Sequence, residues 1–175
     1  MPKLPRQNLE FKATVDSLAD LRQQLVALKA EYSRTMCQVD TYFNVPKGRL
    51  KLREIEDDKA TLVYYERTDA ATSRYSNYHL CDIAEPATFK GVMSSALGVK
   101  VIVEKKRELW MYGNTRIHLD KVTDLREFIE LETVIRDQSE AKAQVEHQLV
   151  KDALQIASAD VIRVSYSDLL LRRTS

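Results

Sequence analysis

Acidic and basic side chains alternate with aliphatic ones along several short stretches of this chain, and those stretches are where chemistry could be done. From Asn8 to Ala13, residues Asn8, Glu10 and Lys12 fall on one side and Leu9, Phe11 and Ala13 on the other. This is the two-residue period of a β-strand. The pattern returns with Arg49, Lys51 and Arg53 against Leu50 and Leu52, and with Val101, Val103, Lys105 and Arg107 against Ile102, Glu104 and Lys106. It returns again with Arg116, His118 and Asp120 against Ile117 and Leu119, and with Glu130 and Glu132 against Ile129 and Leu131. If the charged sides converge, Glu10, Glu130, Glu132 and Asp120 make an all-oxygen pocket, which suits Mg²⁺ or Mn²⁺ better than zinc or copper. Lys12, Lys51, Arg53, Arg67, Lys105, Arg107 and Arg116 would add cations matched to phosphate oxygens. A divalent cation among many basic groups implies a guest with several adjacent negative charges, and a triphosphate fits. Phosphoryl or nucleotidyl transfer requires mainly positioning and charge neutralisation from a protein.

The elements that must position these residues can be read from the same pattern. Thr61–Arg67 adds a segment rich in β-formers. Turns are expected at Asn44–Gly48, Glu56–Lys59 and Tyr112–Asn114. Asp16 or Ser17 can cap a helix carrying Leu18, Leu21, Leu25 and Leu28 on one face. A second helix is predicted from about Ser139 to Ala157, with Val145, Leu149, Ala153 and Ile156 facing the core and His147 on its surface. A third runs from Glu85 to Leu97, opened by Pro86 and closed by Gly98. Strands at hairpin spacing predict one antiparallel sheet system, an α+β fold that could close as a barrel.

A charged strand face is ordinarily solvated, and a sandwich with such faces outside remains one reading. The helices favour the other. Their apolar stripes need an apolar partner, and only the aliphatic strand faces offer one, which would leave the charged faces lining an interior. Within the pattern, His118 shares a face with Asp120, so a site role stays open. Trp110 and Tyr112 are expected to pack on or edge the sheet, and Arg172–Arg173 to form a solvated tail.

Composition sets outer limits. The chain has 175 residues, 27 Lys+Arg against 26 Asp+Glu, and a net charge of +1, which argues against a general nucleic-acid binder. Its length suits one domain spanning residues 1–175. Cys37 and Cys81 lack metal-ligand spacing and read as free thiols of a cytoplasmic protein. Met1–Arg6 has no apolar leader, and no apolar run is long enough for a membrane span. There is no phosphate-binding glycine loop and no zinc-ligand set. An exposed strand edge or helix face could support a homodimer.

The blocks together resemble the CYTH superfamily, the triphosphate tunnel metalloenzymes. Asn8–Lys12 resembles the ExExK opening strand. Gln38–Phe43 followed by Gly48–Arg53 is similar to the next block, most closely in the branch named for class IV adenylyl cyclases. Val103–Arg107, Arg116–Asp120, Phe128–Glu132 and Ser165–Leu170 resemble later blocks in the right order. The resemblance implies an antiparallel tunnel of about eight strands, with a charged interior and flanking helices. It implies Mg²⁺ or Mn²⁺ on Glu10, Glu130 and Glu132, with Asp120 as a further metal or water-orienting carboxylate. It implies triphosphate contacts from Lys12, Lys51, Arg53, Lys105 and Arg107, joined by Arg67 and Arg116, with Arg49 ranked lower. Lys12, Arg53 and Asp120 are the expected catalytic groups. The implied activities are adenylyl cyclisation of ATP, or hydrolysis of thiamine triphosphate or tripolyphosphate. One position departs from the pattern: Asn8 stands where the family has the first Glu. It removes one anionic ligand, which weakens a two-metal mechanism and keeps a non-catalytic polyphosphate- or nucleotide-binding protein as an alternative.

Overall fold

The alternating segments become eight antiparallel strands in a computed structural model of the chain, which describes residues 8–56, 60–67, 74–135, 138–156 and 160–173. The strands are β1 (Asn8–Val15), β2 (Glu31–Phe43), β3 (Arg49–Ile55), β4 (Ala60–Arg67), β5 (Arg74–Ile83), β6 (Val99–Tyr112), β7 (Thr115–Val122) and β8 (Glu127–Val134). The helices are α1 (Leu18–Ala27), α2 (Pro86–Leu97), α3 (Glu140–Ala153) and α4 (Tyr166–Arg173). In the order β1-β5-β4-β3-β2-β6-β7-β8 the sheet closes on itself. β1 pairs with β8 along its whole length, and among the described residues it pairs with β5 at Leu9↔Tyr75 and Glu10↔Arg74. No helix among the described residues is long and apolar enough to cross a membrane.

The aliphatic strand faces point outward, as the helix stripes require. Leu18, Leu21 and Leu25 of α1, with Val150 of α3 and the adjoining Leu154, bury the outer residues Ala13, Trp110, Ile117, Leu119, Ile129 and Leu131. On the other side Phe89, Met93 and Leu97 of α2 pack over Phe43, Leu52 and Ala60. Both expected caps form: Ser17 accepts from the Asp20 amide and Ser139 from the Lys142 amide.

Three sequence expectations are corrected. In α3 the inner face is Ala143, His147 and Val150, while Val145 and Leu149 are 69% and 44% exposed. The stripe that docks combines a small residue with a hydrogen-bonding one, so a search for large apolar residues selects the wrong face. His147 is accordingly buried, not on the surface. Arg172 and Arg173 are exposed as expected but form the last turn of α4 rather than a tail, and Leu169 and Leu170 of that helix pack against Tyr42, Val103, Val122 and Phe128. That helix plugs one end of the barrel. Of the remaining expectations, residues 1–7, 57–59 and 157, and the Arg67 side chain, lie outside the described part.

His147 ends a hydrogen-bonded chain beneath α3. Its Nδ1 lies 2.8 Å from Thr133 Oγ1, which is 2.8 Å from Thr115 Oγ1, and that hydroxyl donates to Glu146 at 2.6 Å. The β6–β7 turn depends on Gly113 (φ 53°), where a Cβ would meet Glu146 Oε2 at 2.7 Å. Burial, aided by Lys151, pushes the His147 imidazole down from 6.5 to about 4. The fold therefore holds His147 neutral, and its contribution is complete above pH 6.5. As pH falls toward 4 the unfolded chain takes up the proton first, and stability drops by up to about 3 kcal/mol. Urea unfolding at pH 7.5 and 4.5 is expected to show a smaller loss for His147→Leu than for the parent chain.

Candidate functional site

The inward strand faces enclose a cavity of about 300 Å³. Cations reach it from most of the sheet: Lys12 from β1, Arg34 from β2, Lys51 and Arg53 from β3, Lys105 and Arg107 from β6, and Arg116 from β7. Among the described residues four carboxylates share the lining: Glu10, Asp40, Glu130 and Glu132. Register makes several of these neighbours. Across β1 and β8, Lys12 faces Glu130 and Glu10 faces Glu132; across β7 and β8, His118 faces Glu130 and Arg116 faces Glu132.

Two buried carboxylates organise the cations. Asp40 accepts from Lys51 at 2.6 Å, from Arg53 at 2.9 and 3.1 Å, and from Gln38 at 3.1 Å. Asp120 accepts both ends of the Arg107 fork at 2.6 Å, Lys105 at 3.3 Å and the Tyr166 hydroxyl at 2.9 Å. Burial opposes ionisation of each acid, but the cations outweigh it. Arg53 and Lys51 hold Asp40 well below its ordinary range, and Arg107 and Lys105 hold Asp120 below its own. Burial, reinforced by Arg107, drives the Lys105 ammonium down to about 7. The Tyr166 ring adds aromatic cover, with Lys12 Nζ 4.0 Å and Lys105 Nζ 5.0 Å from its centroid.

The remaining carboxylates are also engaged. Glu130 lies 3.2 Å from Lys12 and 2.6 Å from Arg107. Glu132 lies 2.8 Å from Arg116 and 3.5 Å from His118 Nε2. Burial works against the charge of Glu130, yet Lys12, Arg107 and Lys105 keep it well below the usual carboxylate range. For Glu132, burial is outweighed by His118 and Arg116. His118 is itself lowered by burial and by Arg107, so at neutral pH the fixed charge beside Glu132 is Arg116. His118 is 6% exposed; its Nδ1 lacks a hydrogen-bond partner and its Nε2 has the 3.5 Å contact with Glu132.

A hard divalent cation fits this donor set in kind, because Glu130 and Glu132 are ionised, face the cavity and have Glu10 beside them in register. Among the described residues no three acidic, His or Cys groups are gathered at one point to hold an ion. Side-chain cations occupy Glu130 and Glu132 instead.

The structure brings Glu10, Lys12, Lys51, Arg53, Lys105, Arg107, Arg116, Glu130 and Glu132 to one cavity. Asp120 is set apart from them. It is fully buried, is not in the cavity lining, and stands beside Arg107 and Lys105. Arg49 pairs with Asp168 of α4 at 2.8 Å. Sequence reasoning did not assign Asp40, Arg34 or Tyr166. Asp40 alternates with Val39 and Thr41 next to the block of Lys51 and Arg53, which was a usable signal. Tyr166 lies in the Ser165–Leu170 block, but its spacing gave no sign of an inward role, which depends on α4 entering the barrel end.

Asp120→Asn leaves Arg107 and Lys105 with a buried charge deficit, so urea unfolding is expected to lose about 3–5 kcal/mol. Unchanged stability combined with lost Mn²⁺ affinity would instead place Asp120 among the metal ligands.

Known proteins share this arrangement of strands. A Pyrococcus horikoshii OT3 protein, PH1012, is 22% identical, with 93% of this chain and 98% of that one covered at a TM-score of 0.80. A Vibrio parahaemolyticus protein with a provisional adenylate cyclase assignment is 17% identical over 98% of this chain and 99% of that one, with a TM-score of 0.76. A Hippeastrum protein, provisionally an adenylyl cyclase and described as having a dominant triphosphatase activity, is 11% identical, covers 97% and 95%, and has a TM-score of 0.63. At these identities the likeness is one of fold. No curated protein matches the chain. The CYTH domain family model matches residues 6–166, nearly the whole chain, and the protein belongs to the CYTH domain family.

Proposed function

We propose that the chain is a divalent-metal-dependent enzyme that breaks a phosphoanhydride bond of a triphosphate. The observation that supports this most is the charge imbalance of the cavity, where, among the described residues, seven basic side chains meet four carboxylates. Such an excess in an enclosed space suits a guest with several adjacent negative charges. Lys12, Lys51, Arg53, Lys105, Arg107 and Arg116 bind its oxygens, with Lys12 and Arg53 beside the reacting phosphorus. Glu10, Glu130 and Glu132 are the residues for Mg²⁺ or Mn²⁺, which when bound neutralises phosphate oxygens. Asp120 positions Arg107 and Lys105. The two free thiols, Cys37 and Cys81, suit a reducing compartment such as the cytoplasm.

The leading form is class IV adenylyl cyclase chemistry, favoured by the Gln38–Arg53 block. The ribose 3′-hydroxyl attacks the α-phosphorus of ATP, giving cyclic AMP and pyrophosphate. The second form is hydrolysis of the terminal phosphate of thiamine triphosphate or tripolyphosphate, favoured by the activity described for the Hippeastrum relative.

Incubation with Mg²⁺ or Mn²⁺ and each of ATP, thiamine triphosphate and tripolyphosphate distinguishes the forms. Cyclic AMP with pyrophosphate marks the cyclase, and orthophosphate without cyclic AMP the hydrolase. Thermal stabilisation by tripolyphosphate with no product would make the cavity a binding site only. Glu132→Gln is expected to lower metal-dependent turnover at least about 100-fold, consistent with a loss of about 2.7 kcal/mol or more in transition-state stabilisation; unchanged turnover removes Glu132 from the site. Asn8 is 2% exposed and lines the cavity. Asn8→Glu is expected to tighten Mn²⁺ binding in a titration followed by electron paramagnetic resonance, and unchanged affinity would dismiss the missing acid as a cause of weak metal binding.

A further inference from the structure

We propose that the outer face of α3 docks a second copy of this chain, with the two α3 helices antiparallel about a two-fold axis level with His147.

This helix has two apolar faces. Ala143, His147 and Val150 are buried against the barrel, and the adjoining Leu154 continues that row. Helical periodicity puts Lys142, Val145, Leu149 and Asp152 on the opposite side, and all four are exposed. Their spacing of three, four and three residues is that of a coiled-coil seam. The seam is apolar in the middle and charged at both ends. Neighbouring charges on the helix turn back to the barrel instead: Glu146 accepts from Thr115 at 2.6 Å, and Lys151 Nζ lies 4.6 Å from the Phe11 ring centroid.

Charge complementarity selects a second copy as the occupant. The four seam positions are symmetric about residue 147. In an antiparallel pair centred there, Val145 lies level with Leu149 of the second copy, and Lys142 lies level with its Asp152. Each contact is made twice, as a two-fold interface requires. A parallel pair would set Lys142 against Lys142 and Asp152 against Asp152. The two charges are also at the wrong ends of their own helix. Lys142 is the third residue of α3 and Asp152 the last but one, so each sits near a helix end of its own sign. An antiparallel neighbour presents both the opposite charge and the opposite helix end. Asp152 accepts from Gln148 one turn earlier at 2.7 Å, which fixes its carboxylate on this side. Ala141 and Ala153 flank the seam at matching levels, and their small side chains let the helices approach closely.

A helix of 14 residues is about 21 Å long, so this interface is small and the dimer weak and concentration-dependent. None of the seam residues lines the charged cavity, and the pairing stands apart from the proposed chemistry.

The test is sedimentation equilibrium of the whole chain at low salt, from about 5 to about 500 μM, a range that brackets a weak dimer. The parent chain is expected to show a reversible monomer–dimer equilibrium, and Val145→Lys to stay monomeric throughout. Lys142→Asp is expected to weaken the dimer about tenfold or more, because both charge pairs become repulsive, whereas Lys142→Asp/Asp152→Lys returns to within about threefold of the parent. Val92→Lys, at an exposed position on α2, is expected to stay within about twofold. Thermal melts followed by circular dichroism establish that each variant is folded, and Leu149→Gln replaces Val145→Lys if that variant is not. A parent chain that stays monomeric overturns the proposal. So does a dimer that survives Val145→Lys, or one that Val92→Lys weakens equally. A charge-swapped double variant no tighter than Lys142→Asp overturns the antiparallel pairing.

Discussion

The buried pairing of Arg107 with Asp120 is the interaction on which the rest of the site depends. It joins β6 to β7 through two 2.6 Å contacts, and the same carboxylate gathers Lys105 and the Tyr166 hydroxyl. A guanidinium inside a barrel is tolerable only where a fixed counter-charge meets it with matching geometry. Asp120 supplies that counter-charge from beside Arg107 on the adjoining strand, buried next to Tyr166, while Glu130 also contacts the guanidinium. Asp40, within the cavity lining, holds Lys51 and Arg53 across the neighbouring β2–β3 pair. The cations are thus held in position before any guest arrives, and this lowers the reorganisation that binding and catalysis require.

Keeping charges inside reverses the usual polarity of a sheet, and the helices follow from that reversal. Outward aliphatic faces on β1, β6, β7 and β8 would be an exposed patch large enough to cause association. α1 and α3 cover it with Leu18, Leu21, Leu25, Val150 and Leu154. α4 has a different task. It closes one end, placing Tyr166 where its ring meets Lys12 and Lys105 and its hydroxyl meets Asp120. The inner cluster of Tyr42, Val103, Val122, Phe128 and Tyr166 is therefore both a hydrophobic core and the floor of the charged cavity.

Strand periodicity made the barrel and most of its lining legible, because a two-residue period assigns each side chain to a face without knowledge of distant contacts. Glu10, Lys12, Arg53, Arg107, Glu130 and Glu132 were found this way. Depth was not legible. The same alternation puts His118 and Asp120 on one face, yet His118 lines the cavity while Asp120 is buried outside the lining. That difference arises from which neighbouring side chains reach across, not from parity. The α3 stripe failed for a related reason: Ala143 and His147 make a docking face only because Thr133 stands opposite to bond the imidazole. α4 could be noticed as a resemblance, but its position as a plug depends on a shape formed by strands far away in sequence.

Under the proposed function, the charge arrangement couples anion and cation binding. Glu130 shares Lys12 and Arg107, and Glu132 shares Arg116. A polyphosphate that draws these cations toward its oxygens loosens their hold on both glutamates. The glutamates then lie among fewer positive neighbours, and a divalent cation becomes a better partner for them than before. A cation arriving alone would add positive charge to a cavity in which cationic side chains already outnumber carboxylates, and would have to displace an arginine from each acid. Each guest therefore raises the affinity for the other, and by linkage the two effects are equal in free energy. Asn8 strengthens the dependence: one fewer fixed acid at the cavity wall leaves the cation more reliant on the negative charge that the phosphate itself brings.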